Sequence, residues 1–171
     1  MPSTIKTISG SCFSNCWSLK SFEISSEVTT IENSAFNACY NLKTITLNNK
    51  LTSIGNTCFS SCYNLQSISL PNTLTTLGNT VFQNCISLTT LTIPASVTSI
   101  GNSCFASCSG MQEYHFLRTT PPTIGTTPFN YIPSGCKIYV PYSADHSILN
   151  AYKTATNWST YADYIEEEPQ S

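Results

Sequence analysis

The sequence predicts a strand-rich, right-handed α/β solenoid, in which a parallel β ladder with short helical turns is closed by a C-terminal strand-plus-helix cap. Three observations predict it. Apolar residues recur every 23 positions without an insertion, each repeat contains a short alternation of apolar and polar residues, and the period breaks after Phe116. Repetition at a fixed step is the primary sign of a stacked architecture, and parallel connections are right-handed by default.

Seven columns carry the period. Ile8, Ile31, Ile54, Leu77 and Ile100 form one, Phe13, Phe36, Phe59, Phe82 and Phe105 a second, and Cys16, Cys39, Cys62, Cys85 and Cys108 a third. Leu19, Leu42, Leu65, Leu88 and Met111 follow, then Phe22, Ile45, Ile68, Leu91 and Tyr114, then Ile24, Leu47, Leu70, Ile93 and Phe116. Val28, Leu51, Leu74 and Val97 complete the unit. Five copies therefore span residues 5–120.

Within one copy, Leu65-Gln66-Ser67-Ile68-Ser69-Leu70 reads as a short strand with Ile68 and Leu70 inward, and Pro71-Asn72 ends it. Leu74-Thr75-Thr76-Leu77 is a second extended run. Gly78-Asn79-Thr80 then offers turn and capping chemistry before Val81 to Cys85, expected to form a turn or two of helix with Phe82 and Cys85 on its buried face. One such coil holds a single layer of apolar side chains, too few to offset a backbone ordering cost of roughly 1 to 2 kcal/mol per residue. Stacking is compulsory, with strands about 4.8 Å apart.

Composition narrows the functional classes. Only 9% of residues are charged, against about 25% in ordinary domains, while Ser and Thr fill roughly three positions in ten. The surface is hydroxylic. A net charge of −2 with scattered Lys and Arg leaves no basic footprint for nucleic acid or anionic membranes. No apolar run approaches the ~20 residues of a membrane span, and Met1 to Gly10 lacks the charged-then-apolar pattern of a leader.

Eight of nine cysteines fall on two columns, the invariant one and another at Cys12, Cys58 and Cys104 that Ala35 and Val81 also occupy. A position accepting Ala and Val is a small buried site. A line of thiols repeating once per coil does not converge as zinc ligands must, and the odd count disfavours a disulfide framework. Buried free thiols are expected, with no metal and no cofactor.

Beyond Phe116 the register shifts, and Phe129 lies 24 residues after Phe105. Lys137-Ile138-Tyr139-Val140 reads as a strand, and Ser147 to Tyr164 carries Ile148, Leu149, Tyr152, Trp158 and Tyr161 at roughly helical spacing. Residues 121–165 are read as a capping module that shields the last coil, and 166–171 as a disordered acidic tail. No comparable cap precedes Ile5, so this edge is expected to be covered by upstream chain or by self-association.

The unit from Thr52 to Pro71, Thr-Ser-Ile-Gly-Asn-Thr-Cys-Phe-Ser-Ser-Cys-Tyr-Asn-Leu-Gln-Ser-Ile-Ser-Leu-Pro, resembles the BspA-like leucine-rich repeat found in surface proteins of gut and oral bacteria and mucosal protists. The first copy departs most, with Ser9-Gly10 in place of Gly-Asn and Ser25 in place of Pro. The stretch from Thr120 to Pro141 and from Asn157 to Ile165 looks like the terminal module of the bacterial members. The resemblance implies an α/β leucine-rich-repeat solenoid, a cell-surface or secreted location, and non-catalytic adhesion to a host extracellular-matrix protein or glycan.

Catalytic chemistry finds no footing in the residues. The two histidines, His115 and His146, have no suitable partners nearby in sequence, and neither a Gly-x-Ser-x-Gly nor a phosphate-cradling glycine loop is present. The candidate binding face is the outward strand ladder: Ser21 and Glu23, Thr44 and Thr46, Ser67 and Ser69, Thr90 and Thr92, Glu113 and His115. Glu23, Glu113 and His115 are its distinctive members. A solvated β surface would favour the same Thr and Ser without any ligand. Trp17, Tyr40 and Tyr63 form a second stripe, readable as a binding strip or as corner packing. An architectural spacer that projects another domain is the alternative function.

Overall fold

A computed structural model describes residues 4–170. The chain winds as a parallel β-solenoid. One ladder is a continuous six-stranded sheet of two-residue strands, ordered β1 (Thr7–Ile8), β3 (Thr30–Ile31), β5 (Ser53–Ile54), β7 (Thr76–Leu77), β9 (Ser99–Ile100) and β11 (Thr123–Ile124). Equivalent residues pair along it, Ile8 with Ile31, Ile31 with Ile54, Ile54 with Leu77, and Leu77 with Ile100. Repeating sequence thus becomes repeating register.

The second ladder is split. β2 (Ser21–Glu23), β4 (Thr44–Thr46) and β6 (Ser67–Ile68) form one sheet. β8 (Thr90–Ile93), β10 (Glu113–Phe116), β12 (Lys137–Val140) and β13 (Ile165–Glu167) form another.

Between the ladders the apolar columns form one core. Phe36, Phe59, Phe82 and Phe105 are essentially fully buried and stack ring on ring at 5.6 to 6.0 Å, and Phe129 continues the file 5.3 Å beyond Phe105. At the first coil Phe13, Cys16, Leu19 and Phe22 are only partly buried, since no coil covers them among the described residues.

The third side of each coil differs from expectation. The segment that reads as a helical turn contains no helix; Ser34, Phe36 and Ala38 instead donate their N–H groups to Asn56, Cys58 and Ser60 of the next coil at 2.8 to 3.0 Å. Ser34 and Ala38 have φ of 58° and 56°, and equivalents such as Thr57 with Ser61, and Thr80 with Asn84, repeat this left-handed pair. A helix is about 10 Å across with its side chains and cannot repeat at the ~4.8 Å spacing of coils without splaying them apart and curving the stack. A flat turn can, and the hydrogen bonds between coils offset the ~1 to 2 kcal/mol each left-handed residue costs.

Glycine serves close approach rather than unusual φ. Each Asn of one column accepts, through Oδ1, the backbone N–H of its equivalent one coil later: Asn56 to Asn33 at 2.8 Å, Asn79 to Asn56 and Asn102 to Asn79 at 2.7 Å. The preceding glycine leaves room for that amide. A Cβ on Gly101 would lie 2.6 Å from both the N and the Oδ1 of Asn79. Where Glu32 stands in the glycine column, the coil before it has Gly10 instead of Asn, and Glu32 Oε2 accepts the Gly10 N–H at 2.8 Å. Gly101→Ala is expected to destabilise by about 3 kcal/mol through overpacking and a lost hydrogen bond. Gly135→Ala, with nothing within 4 Å, should leave the urea midpoint unchanged.

The C-terminal part departs from the expected division at residue 120. β11 pairs with β9 and β12 pairs with β10, so residues 121–140 complete another coil rather than opening the cap. The helical reading of Ser147 to Tyr164 also divides, into helix α1 (Ser147–Thr154) and a 3-10 helix (Ser159–Tyr164), with Ala155 extended and Asn157 left-handed between them. That break turns Trp158 into the core end, where it is fully buried.

Residues 166–170 of the expected disordered tail are described, and Ser171 lies outside the described residues. The expectation is corrected for Glu166 and Glu167: they belong to β13, paired in parallel with β12, and Glu168 N–H donates to Val140 O at 2.9 Å. A row of acidic residues docks here because Ile165 is buried and each glutamate meets a basic partner.

Candidate functional site

The second ladder places the candidate residues in two rows. Ser21, Thr44 and Ser67 are register partners, as are Glu23 and Thr46. On the far side of the split, Thr90 pairs with Glu113, and Thr92 with His115. Alternation along each strand sends Ile45, Ile68 and Leu91 inward, so Glu23, Thr44, Thr46, Ser67, Ser69, Thr90 and Thr92 are exposed together on one face. The Ser and Thr hydroxyls of this set hold no hydrogen bond within the described chain.

Glu113 and His115 are placed differently. Both are half-buried, and as an imidazolium His115 donates from Nδ1 to Glu168 Oε1 at 2.6 Å and from Nε2 to Glu113 Oε2 at 3.2 Å. Tyr139 stacks on its ring at 5.2 Å. Lys137 pairs with Glu166, and His146 Nδ1 with Glu167 Oε2 at 2.7 Å. Two of the distinctive residues are thus turned to fastening the chain's own last strand. Sequence reading missed this because the partners lie 53 residues apart, although an acidic run facing His115, Lys137 and His146 was a usable signal.

Burial pulls the His115 pKa down, but its hydrogen bonds to Glu168 and Glu113 outweigh it and the net value is raised above 6.5. A raised histidine contributes stability fully below its unfolded value and loses it as pH climbs through the folded value. Amide exchange at Glu168 should therefore speed up as pH rises from about 6.5 through that raised value, beyond the intrinsic base-catalysed trend. His115→Gln should abolish the excess; an excess that persists would place the switch elsewhere.

The cysteine column has a specific job. Cys39, Cys62, Cys85 and Cys108 donate from Sγ to the carbonyls of Phe13, Phe36, Phe59 and Phe82 at 3.1 to 3.3 Å, tying each coil to the one before. All nine thiols are free. Burial raises Cys39 to about 11 and Cys108 to about 12, and holds Cys58 and Cys85 well above 9.0. The seven buried thiols act as small hydrophobes with a weak donor, whereas at the first coil Cys12 is exposed and Cys16 only partly buried, against the expectation of buried thiols throughout.

Trp17, Tyr40 and Tyr63 stack face to face at 6.0 and 4.9 Å, within 9° of parallel. Their ring faces cover one another, and Asn41 and Asn64 brace the corner by donating to Trp17 O and Tyr40 O. Trp17 and Tyr63 nonetheless remain exposed.

With coil geometry, register and columns in place, comparison with known proteins is decisive: the BspA type leucine rich repeat region matches residues 1–112 in six copies. The chain belongs to the BspA-type leucine-rich repeat family. It is similar to a leucine-rich repeat protein from Bacteroides ovatus at 32% identity and TM-score 0.67, over 79% of this chain and 35% of that one. It is similar to a leucine rich cell surface protein from Faecalibacterium prausnitzii at 30% identity and TM-score 0.67, over 80% of this chain and 35% of that one. The T. pallidum leucine rich repeat protein shares the fold at 22% identity and TM-score 0.66, over 92% of this chain and 84% of that one. No curated protein matches. The chain spans about a third of the length of the Bacteroides and Faecalibacterium proteins. No helix among the described residues is long and apolar enough to cross a membrane.

Proposed function

We propose that this BspA-type segment is a non-catalytic binding module of a cell-surface or secreted protein, holding a host extracellular-matrix protein or glycan on the face of its second ladder. One observation carries it: Thr44, Thr46, Ser67, Ser69, Thr90 and Thr92 present their hydroxyls on one exposed face with no internal partner. Short hydroxyl side chains on paired strands lose little entropy on binding and both donate and accept hydrogen bonds. The description of the Faecalibacterium relative as a cell surface protein supports the location.

The test is saturable binding of the purified chain to a glycan array and to immobilised matrix proteins. Thr46→Arg with Thr92→Arg should weaken it at least tenfold at an unchanged unfolding midpoint. Full binding by that variant moves the ligand off this face; silence on every surface leaves the chain as a spacer between other domains.

A further inference from the structure

The split in the second ladder is a local feature, because the other ladder runs unbroken through the same coils. At the two neighbouring steps Gln66 N–H donates to Lys43 O and Gln112 N–H to Thr89 O. The corresponding bond across the split, from Thr89 to Gln66, is not made, and the Leu70 N–H to Thr92 O bond is absent, as is its equivalent from Leu47 to Ser69 one step earlier. An open depression of about 530 Å³ lies there, lined by Asn49, Ser69, Asn72, Thr90, Thr92 and Leu117 over Leu70, Pro71 and Pro94. A smaller depression of about 310 Å³, sharing Asn49, Ser69 and Pro71, extends it towards Thr44 and Thr46.

We infer that this breach is a binding site for an uncharged saccharide, recognised by Asn49, Ser69, Asn72, Thr90 and Thr92. The inference deepens the reading of the second ladder as a ligand surface and rests on it. The site's size falls within the ~300 to 1,000 Å³ of small-molecule pockets. No Asp, Glu, Lys, Arg or His lines either depression, so an ionic ligand would leave water without a compensating partner. A protein partner would need about 800 Å² on each side and a buried aromatic or Arg anchor, and the lining has no aromatic residue.

A sugar matches what is present. Its hydroxyls both donate and accept, as amides and hydroxyls do, and its C–H face suits Leu117, the exposed apolar side chain of the lining. The two asparagines are also distinct from those of the ladders. Asn33, Asn48, Asn56 and Asn64 spend their amides within the solenoid, whereas the Asn49 and Asn72 side chains hold no hydrogen bond and remain exposed beside one depression. They follow β4 and β6 as equivalents 23 residues apart, and both line the depression at the interrupted step.

The experiment is a titration of the ¹⁵N-labelled full chain with lactose, mannobiose and N,N′-diacetylchitobiose, followed by amide resonances that include both asparagine side chains. At least one disaccharide should give saturable shifts confined to Asn49, residues 66–72 and residues 89–94. Asn49→Ala and Asn72→Ala should each lower its affinity about tenfold, the loss of one well-made hydrogen bond. Shifts centred elsewhere, no shift with any of the three, or unchanged affinity in both variants overturns the site. If those variants still bind the array or the matrix proteins as the parent does, the ladder face stands and only the breach falls. If an extended peptide, and no sugar, moves the same amides, the site takes peptide and the saccharide assignment is wrong.

Discussion

Phe82→Ala should lower stability by about 3 to 5 kcal/mol, the usual range for removing a buried phenylalanine. Its ring is fully buried and lies between Phe59 at 5.6 Å and Phe105 at 6.0 Å, so one deletion weakens the interfaces on both sides of its coil. Solenoid stability is approximately a sum of nearest-neighbour interfaces, which makes the middle of the array its most sensitive place. The change should also divide the unfolding transition, with coils on the two sides of residue 82 exchanging their amides at different rates. A urea titration monitored by hydrogen exchange reads both effects; a single transition shifted by under 1 kcal/mol would mean that the phenylalanine file is not the main tie between coils.

Trp158→Ala should have an effect of the same size at the other end, with a different consequence. The indole is fully buried, packs edge to face on Phe116 at 5.0 Å and Tyr152 at 4.9 Å, and donates from Nε1 to Pro122 O at 2.9 Å. Truncation opens a cavity costing about 3 to 5 kcal/mol and strips a buried carbonyl of its donor. Two neighbouring fasteners, Tyr152 OH to Arg118 O and Asn157 Nδ2 to Ile124 O, both 2.8 Å, hang on the same packing. The cap should then detach before the coils unfold, exposing Phe116 and Phe129 and the edge of β12. Limited proteolysis should cut within residues 141–164 while the repeats stay intact and the protein self-associates. Cleavage inside the repeats first would show the cap to be dispensable.

Most of the fold was legible in the residues, for a reason visible in the columns. Ile8 to Ile100, Phe13 to Phe105 and Cys16 to Cys108 keep one step, and a constant step permits only stacked coils in shared register. The helical turn before each cysteine was misread because Phe and Cys three apart suit a helix face equally well. What excludes the helix is the spacing of the coils, a property of neighbours and not of the segment. The glycine column was legible as turn chemistry, yet its purpose, room for an asparagine of the preceding coil, depends on a contact 22 residues away in the chain.

The candidate site divides along the same line. That Thr44, Thr46, Ser67, Ser69, Thr90 and Thr92 share a face follows from two-residue alternation and a 23-residue period, and the sequence by itself determined it. Only the tertiary structure decided that Glu113 and His115 face Glu168, that Glu166 and Glu167 close the sheet as β13, and that the ladder parts between β6 and β8. Each of these depends on which remote backbone comes to lie alongside. A local pattern encodes which way a side chain points, whereas its partner is chosen by how the whole stack packs and ends.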